Sequence, residues 1–392
     1  MAPNIFATSL AHSAARREIV DLGPGIPDLP APADAVARAV AGLTAGEHAY
    51  APIGGCAALQ AAVAEHARRF HDTEIDNPDT TVLVTAGATE ATLCALLALI
   101  DPGDEVVLFD PCYDAHPAQI AFAGGVARYV ALQPPDAAHA TWWFSREALA
   151  AAFSAKTKLV LLNTPHNPTG KVFARAELDH IARLCLQHDA YALTDEVYEH
   201  LVYANASHVR IATLPGMAER TITVSSAAKS FSVTGWKVGW AIAPPALRAL
   251  LFRVHQYASV TVPAPLQHGV AVALRLPADH FTQLRADYQR RRDALTRGLT
   301  SVGLPPLEVE GGIFCLVDAC AAGYDSDLAF CERLLRDHGV MAIPTAPFFQ
   351  SPRARPAPRY VRFAFCKSEA VIAEALRRLR GTYAISAACS AG

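Results

Sequence analysis

The chain has 392 residues, of which 52% are apolar and 18% charged, and its formal net charge at pH 7 is −3. This length exceeds the size at which one hydrophobic core usually stops growing, so we expect a large domain and a smaller one. The weak net charge disfavours nucleic acid as a partner. Nine cysteines lack a Cys-x-x-Cys pair and any spacing typical of zinc sites, which favours reduced thiols and no bound metal.

Two further observations concern localisation. The longest apolar stretch, around residues 93–100, is too short to span a bilayer. The N-terminus lacks the charged-then-apolar pattern of a signal peptide. We therefore predict a cytoplasmic protein without a membrane partner, ending in a frayed tail at residues 386–392.

From residue 80 onward, short β-branched runs alternate with helical stretches. Helices are predicted from residue 89, after residue 109 and from residue 175. The predicted strands cover residues 80–85, 105–109, 158–163, 191–194, 221–225 and 238–243. Such alternation is typical of an α/β fold with a mostly parallel sheet, covered on both faces, whose ligands bind at the carboxyl ends of the strands.

The pattern changes from about residue 281. A basic helix at 289–297, a Gly-Gly turn at 311–312, strands near 313–317 and 360–365 and a final helix follow one another. This predicts a separate α+β domain. We therefore expect an N-terminal segment (1–35) that joins the small domain, a large domain (36–280) and a small C-terminal domain (281–392).

Two lysines lie among small and aromatic residues. Residues 225–231 read Ser-Ser-Ala-Ala-Lys-Ser-Phe, and residues 235–240 read Gly-Trp-Lys-Val-Gly-Trp. Burial in such surroundings favours the neutral amine of Lys229, which is the form that attacks an aldehyde. A surface lysine in a loop is the alternative interpretation of this segment alone.

Three other motifs follow the ends of predicted strands. Thr-Asp-Glu-Val-Tyr at 194–198 places Asp195 where a carboxylate can pair with a pyridinium nitrogen, although a helix N-cap is an alternative role. Asn-Thr-Pro-His-Asn-Pro-Thr-Gly at 163–170 is equally compatible with a simple turn. Thr-Ala-Gly-Ala-Thr at 85–89 enters a helix whose N–H groups could hold a phosphate.

An arginine interrupts the apolar strand predicted near the C-terminus. Residues 360–365 read Tyr-Val-Arg-Phe-Ala-Phe, so Arg362 shares a face with Tyr360 and Ala364. A charged residue at such a position either faces solvent or is buried together with an anion.

The motifs at 163–168, 194–198 and 226–240, in this order, resemble those of the class I/II aminotransferases of fold type I. Within that family, the nearest group contains the kynurenine–oxoglutarate aminotransferase (glutamine transaminase K) and bacterial methionine aminotransferase. The resemblance runs from about residue 21 to residue 380. It implies a pyridoxal 5'-phosphate enzyme with a mostly parallel seven-stranded sheet in its large domain, a smaller α+β domain, and a homodimer with shared active sites.

The resemblance also implies roles for individual residues. Lys229 matches the Schiff-base lysine, which then shuttles a proton between the substrate and the cofactor. Asp195 matches the partner of the pyridine nitrogen. Asn167 and Tyr198 match the donors to the phenolic oxygen of the cofactor. Arg362 matches the arginine that binds the substrate α-carboxylate.

Other matching residues surround the phosphate and the ring of the cofactor. Ser226, Lys237 and the backbone of Ala88 and Thr89 match the phosphate-binding group of the family. Tyr113 matches the aromatic residue that stacks on the ring.

Two further positions complete the implied site. Gly25 matches the glycine that lines the carboxylate site, and Tyr50 matches the tyrosine that reaches the phosphate of the neighbouring subunit. The chain departs from the family pattern at two positions beside Gly25 and at one beside Lys229. Pro24 stands where the group usually has glutamine, Ile26 where it has phenylalanine, and Ala228 where a glycine often precedes the lysine.

The predicted reaction moves an amino group from an L-amino acid to a 2-oxo acid. No second arginine motif for a distal carboxylate is evident, which favours a donor with a neutral side chain of the methionine, aromatic, glutamine or kynurenine type. Phe6, Tyr257 and Phe314 are candidate walls of the substrate pocket, although an aromatic residue at such a position is more often an ordinary core residue.

Four alternatives remain at this point. The same scaffold supports a cysteine-conjugate β-lyase and specialised natural-product enzymes. A cofactor-sensing transcription regulator is disfavoured because the motif near residue 22 leaves no room upstream for a winged helix, and no basic patch marks a recognition helix. A nicotinamide dehydrogenase is disfavoured because no Gly-x-Gly-x-x-Gly follows the first strand.

Overall fold

A computed structural model describes residues 19–203, 206–351 and 359–380. Its strands are β1 (Val20–Asp21), β2 (Val82–Thr85), β3 (Glu105–Asp110), β4 (Val126–Ala131), β5 (Thr157–Asn163), β6 (Tyr191–Asp195), β7 (Thr221–Ser226), β8 (Gly239–Ile242), β9 (Phe314–Asp318), β10 (Val340–Met341), β11 (Ile343–Pro344) and β12 (Tyr360–Ala364). Its helices are α1 (Ala33–Thr44), α2 (Ala57–His71), α3 (Pro78–Thr81), α4 (Gly87–Leu99), α5 (Ala115–Phe122), α6 (Arg146–Ala152), α7 (Arg175–Gln187), α8 (Ala227–Ser230), α9 (Pro245–Ala258), α10 (Ala264–Leu274), α11 (Ala278–Ser301), α12 (Asp327–His338) and α13 (Glu369–Leu379). None of these helices is long and apolar enough to cross a membrane.

Seven strands form one sheet in the order β2-β8-β7-β6-β5-β3-β4. Neighbouring strands from β7 to β4 are parallel, whereas β8 is antiparallel to both β7 and β2. Within this sheet β8 therefore runs against the direction of all other strands. The expectation of an α/β fold with a mostly parallel seven-stranded sheet is confirmed.

Side chains of the central strands alternate between two apolar layers, as the period of a strand requires. In β3, Val106 and Leu108 pack with apolar residues of α4 and α9. The intervening Val107 and Phe109 pack on the other face, with apolar residues of α6 and α7. Because both faces are buried, these strands read in the sequence as continuous apolar runs rather than as alternating ones.

Two features of the sheet differ from the sequence expectations. The strand expected from residue 80 begins at Val82, because α3 occupies the preceding positions and starts with an Asn77 side chain that accepts a hydrogen bond from the Asp79 N–H at 3.2 Å. Strand β4 was not anticipated. It lies at the edge of the sheet, and its Val-Ala-Arg-Tyr-Val-Ala sequence is mostly half-buried or exposed.

The C-terminal part of the chain forms two small sheets that pack with three helices. Strands β11, β12 and β9 form an antiparallel sheet, and β1 pairs in parallel with β10. Apolar residues of α11, α12 and α13 share one core with these strands. The basic helix expected at 289–297 is part of the longer α11. The pairing of β1 places residues 20–21 beside C-terminal elements, while the domain boundaries themselves stay predictions.

Candidate active site

A cavity of about 510 Å³ opens at the carboxyl ends of β5, β6 and β7, where ligands of parallel sheets bind. These three strand ends contribute Asn163, Asp195 and Ser226 to its wall. The structure places eleven of the twelve site residues expected from the sequence on this cavity, namely Gly25, Ala88, Thr89, Tyr113, Asn167, Asp195, Tyr198, Ser226, Lys229, Lys237 and Arg362. Tyr50 is the one that does not line it.

Lys229 lies on the single-turn helix α8 that follows β7 directly. Its ammonium nitrogen donates a hydrogen bond to the carbonyl oxygen of Gly25 at 2.5 Å. Burial lowers the pKa of this amine to about 8, and the positive charge of Arg362 acts in the same direction. A substantial neutral fraction is therefore available near physiological pH, as nucleophilic attack on an aldehyde requires.

Asp195 ends β6, and both of its carboxylate oxygens have neighbours. Oδ1 accepts a hydrogen bond from the Val197 N–H at 3.3 Å, and Oδ2 lies 3.6 Å from Nε2 of the buried His116. Its backbone oxygen accepts from the side-chain amide of Asn163 at 3.0 Å. The segment after β6 is a turn, so Asp195 caps no α-helix in this structure.

Arg362 on β12 is buried, with only 6% of the residue exposed. The guanidinium carbon lies 3.9 Å from the ring centre of Phe314 and 4.9 Å from that of Phe348. Nη1 donates to Oδ1 of Asn167 at 2.8 Å, and Nη2 contacts the Gly23 carbonyl at 3.4 Å. The sequence alternative of a solvent-facing arginine is therefore wrong.

No carboxylate of the described residues forms a hydrogen bond with the Arg362 guanidinium. Its buried Nε has no hydrogen-bond partner in the part of the chain that the structure describes. Burial lowers the pKa of this guanidinium to about 10, which leaves it positively charged at neutral pH. A buried cation with a free donor is costly, so the position suits an anionic group of a ligand.

The opposite end of the cavity is formed by the start of α4 and by Lys237. Helix α4 begins without a side-chain cap, and its first residues, Gly87 to Thr89, line the cavity with N–H groups that have no intrahelical acceptors. Gly87 has φ +79°, and a Cβ built on it would lie 3.0 Å from Nζ of Lys237. The missing side chain thus lets the lysine ammonium lie against the helix N-terminus, an arrangement suited to a phosphate.

Two tyrosines present phenol groups to the same space. Burial raises the pKa of Tyr113 to about 12 and raises the pKa of the buried Tyr198 as well. Both side chains therefore keep their O–H at neutral pH and can act as hydrogen-bond donors. The Tyr113 ring packs edge-on against His116, with ring centres 5.3 Å apart.

Several residues of the cavity wall were not assigned from the sequence. His116 and Gly87 have been described above, and Phe348 flanks Arg362. Asn163 links two neighbours, because its Oδ1 accepts from the Asn167 N–H at 2.7 Å while its amide donates to Asp195. The position of Asn163 at a strand end was visible in the sequence, but its partners depend on the pairing of β5 with β6.

Three aromatic residues were considered as pocket walls. Phe314 lines the cavity. Tyr257 does not, because it lies on α9 with 85% of its surface exposed, so it is neither a wall of this cavity nor a core residue. Phe6 lies outside the described residues. Tyr50 is likewise exposed, at 88%.

Comparisons with known proteins give the family of this chain. The family model described as "Aminotransferase class I and II" matches residues 17–379. Methionine aminotransferase of Escherichia coli (strain K12) is 36% identical over 95% of this chain and 94% of its own length. Kynurenine–oxoglutarate transaminase 1 of Homo sapiens is 36% identical, with 94% and 93% covered. The solved structure of N-succinyldiaminopimelate aminotransferase from Mycobacterium tuberculosis is 40% identical and superimposes with a TM-score of 0.92, covering 96% of this chain and 97% of that one. The chain belongs to the class I and II aminotransferases, enzymes whose cofactor is pyridoxal 5'-phosphate.

Proposed function

We propose that the enzyme transfers the amino group of an L-amino acid with a neutral side chain, of the methionine, aromatic, glutamine or kynurenine type, to a 2-oxo acid. The charges around the cavity carry this proposal. Among the described residues that line it, the lysines and arginines are Lys229, Lys237 and Arg362. Each of them has a function with the cofactor or the α-carboxylate, as argued below. Among these described lining residues a distal carboxylate would find no further cation, and it would meet the carboxylate of Asp114.

The described residues fit pyridoxal 5'-phosphate. The N–H groups of Ala88 and Thr89, together with Lys237 and the Ser226 hydroxyl, would hold its phosphate. The Gly87 position supports this assignment, because any side chain there would displace the Lys237 ammonium. When bound, the cofactor supplies a protonated pyridine ring that accepts the electron pair released at the substrate Cα.

Asp195, Tyr113, Tyr198 and Asn167 would orient the cofactor ring. The Asp195 carboxylate would keep the pyridine nitrogen protonated through a charge-assisted hydrogen bond. His116, 3.6 Å from the other side of that carboxylate, restricts its rotation. Tyr113 would stack on the ring, and the hydroxyl of Tyr198 and the amide of Asn167 would donate to its phenolic oxygen.

Lys229 would perform two tasks at one atom, its Nζ. As a neutral amine it would hold the cofactor through the aldehyde group of the latter, until the amino group of a substrate takes its place. Once free, the same amine would accept the proton of the substrate Cα and hold it for return. The pKa of about 8 suits both tasks, because the amine can gain and lose a proton near neutral pH.

Arg362 would bind the substrate α-carboxylate. Its free Nε and its Nη2 lie on one edge of the guanidinium, which offers two parallel hydrogen bonds to a carboxylate. Phe314 and Phe348 fix the plane of the guanidinium, and the contact with Asn167 fixes its rotation. The substrate Cα–H bond would thereby be oriented toward Lys229.

A panel of amino donors with several 2-oxo acids tests the substrate class. We expect kcat/KM for methionine, phenylalanine, glutamine or kynurenine to exceed the values for aspartate, glutamate and N-succinyldiaminopimelate by about 100-fold or more, because an unpaired buried carboxylate is strongly disfavoured. A preference for any of the three acidic donors would refute the neutral class. N-succinyldiaminopimelate is included because one relative is named for it.

Transamination is favoured over β-elimination by the names of the relatives, all three of which are aminotransferases or transaminases. The two outcomes differ in what a cysteine conjugate yields without any oxo-acid acceptor. Pyruvate and ammonia released over many turnovers under these conditions would favour the lyase, whereas a single half-reaction per active site is expected for transfer.

We further propose a homodimer with shared active sites. Helix α1 exposes an apolar stripe formed by Val36, Val40 and Leu43, and Tyr50 and Tyr257 are almost fully exposed in the single chain. Contiguous apolar exposure of this kind is typical of an interface. Tyr50 would reach the phosphate of the partner. Mixing inactive Lys229→Ala and Tyr50→Ala chains should restore one functional site per heterodimer, and sedimentation should give twice the chain mass.

We also propose that the enzyme is cytoplasmic. The eight cysteines of the described residues are free, and seven of them are buried, as is usual in a reducing compartment. Cell fractionation followed by an activity assay tests this localisation, and activity confined to another compartment would contradict it.

A further inference from the structure

Four potential metal ligands converge outside the active-site cavity. His66 and His71 lie in the second half of α2, whereas Glu199 and His200 lie in the turn after β6. One ligand atom from each residue lies within 4.8 Å of all the others. The Nε2 atoms of His66 and His200 are 2.7 Å apart, and Nε2 of His71 is 2.9 Å from Oε2 of Glu199.

The hydrogen bonds of these histidines leave nitrogen atoms directed at one another. Nδ1 of His66 lies 3.3 Å from the carbonyl oxygen of Leu274, which can only accept, so Nδ1 carries the hydrogen and Nε2 presents a lone pair toward His200. Such a bond from the second ring nitrogen to a carbonyl is usual for metal-binding histidines. The side chain of His71 is only 5% exposed. Although its Nε2 lies close to Glu199, the geometry is not that of a hydrogen bond, and no other described group accepts from or donates to this nitrogen.

The charges around this group also favour a cation. Glu196 and Glu199 are both buried, and both contact the single guanidinium of Arg210, at 3.0 Å and 2.6 Å. Nε2 of the buried His208 lies 3.0 Å from the Glu196 carboxylate, and the Ser225 hydroxyl donates to Oε1 of Glu199 at 2.8 Å. The cluster thus holds two buried carboxylates beside one guanidinium, and a bound cation would give these carboxylates a further partner of opposite charge.

We propose that His66, His71, Glu199 and His200 bind one divalent transition-metal ion, with Zn²⁺ the best match. Three imidazoles and a carboxylate in tetrahedral geometry are typical zinc ligands, and metal–ligand bonds of about 2.0–2.2 Å place ligand atoms about 3.3 Å apart. The observed separations, from 2.7 Å to at most 4.8 Å, bracket that value. Four protein ligands would close the coordination sphere, so the ion is structural and takes no part in transamination.

The ion would join α2 to the turn that follows Asp195 and contains Tyr198. This inference revises the expectation of no metal. Cysteine and histidine spacing could not indicate such a site, because 134 positions separate His66 from His200. The proposal stands independently of the substrate class, since none of its four ligands lines the cavity.

Metal analysis of the holoenzyme tests the proposal. The protein is treated with a chelator, re-equilibrated with Zn²⁺ or Co²⁺ and dialysed. We expect one zinc per chain, a rise in Tm with Zn²⁺ but not with Mg²⁺, and visible Co²⁺ bands typical of tetrahedral nitrogen and oxygen ligands. His71→Gln and His200→Gln should each weaken zinc binding by about 100-fold or more, because even second-shell partners of a metal cost 10- to 100-fold.

His139→Gln is the matched control, because that histidine is exposed and distant in sequence from all four ligands. It should bind zinc like the parent. Failure of the parent to retain zinc, thiolate charge-transfer bands in the Co²⁺ spectrum, or equal zinc loss in the control would each overturn the site. If the ligand variants do not fold, the stoichiometry and Co²⁺ spectrum of the parent decide the question.

Discussion

Replacing Arg362 with lysine keeps the positive charge of the proposed carboxylate site but removes its planar geometry. The single ammonium of lysine would replace the two parallel hydrogen bonds proposed for Nε and Nη2, and it would lack the Asn167 contact at 2.8 Å and the stacking between Phe314 and Phe348 that orient the guanidinium. A hydrogen bond to a charged group contributes about 1.5–3 kcal/mol. A loss of about 2–3 kcal/mol in transition-state binding lowers kcat/KM roughly 30- to 150-fold.

The assay monitors the first half-reaction by stopped-flow absorption, with methionine as the donor and under single-turnover conditions. We expect the apparent dissociation constant of the donor to carry most of the change, while the absorption spectrum of the bound cofactor stays as in the parent. Arg291→Lys is the matched control, because Arg291 is also largely buried but pairs with Asp28 outside the cavity. It should alter kcat/KM less than about 3-fold. An Arg362→Lys variant that binds and converts methionine like the parent would refute the carboxylate role.

Three further predictions concern Lys229 and the phosphate site. Lys229→Arg should retain loosely bound cofactor but lose turnover. In the parent, borohydride reduction followed by peptide mapping should label Lys229 alone. A label on another lysine would contradict the role of Lys229. Cofactor capture by the apoenzyme should accelerate about tenfold per pH unit up to about pH 8 and then level off, because the amine with its lowered pKa is already neutral above that value, whereas an ordinary lysine would continue to about pH 10.4. Gly87→Ala should weaken cofactor binding about tenfold, since φ +79° strains alanine by about 1–2 kcal/mol and its Cβ would meet Lys237. Gly103→Ala is the matched control, because its φ of +93° imposes a similar strain while its Cβ has open space outside the cavity, and it should bind the cofactor like the parent in a fluorescence titration.

The sheet could be predicted from the sequence because its strands are buried on both faces. A long apolar run such as that of β5 is recognisable in the sequence as a buried strand, and the alternation of such runs with helices indicates parallel pairing. Strand β4 could not be found by the same criterion, since an edge strand with an arginine at its centre gives no apolar run. The antiparallel direction of β8 depends on tertiary pairing with β2 and β7, which no local pattern encodes.

The site residues also differ in whether a local sequence pattern or a tertiary contact defines them. Lys229, Asp195 and Arg362 stand within contiguous motifs, so a resemblance in sequence was enough to select them. His116 and Gly87 could not be selected, because their importance depends on contacts with Asp195 and Lys237, which come from other elements. The sequence supports the neutral-donor prediction only through the lack of a second arginine motif, whereas the composition of the cavity wall, which bears on it directly, is assembled by the folded chain.

The register of the parallel strands determines which parts of this enzyme can change its substrate. Asn163 pairs with Asp195 across β5 and β6, so a shift of one residue in either strand would turn these side chains, and the apolar core behind them, to opposite faces. Substitutions that would move the catalytic side chains at the ends of β5 and β6 would therefore also disrupt the apolar core. Pro24, Ile26 and Ile343 line the cavity from outside the seven-stranded sheet, and they can be exchanged without altering its register. Libraries that randomise these three positions should yield folded enzymes with altered donors, whereas libraries at β5 and β6 should yield mostly unfolded chains.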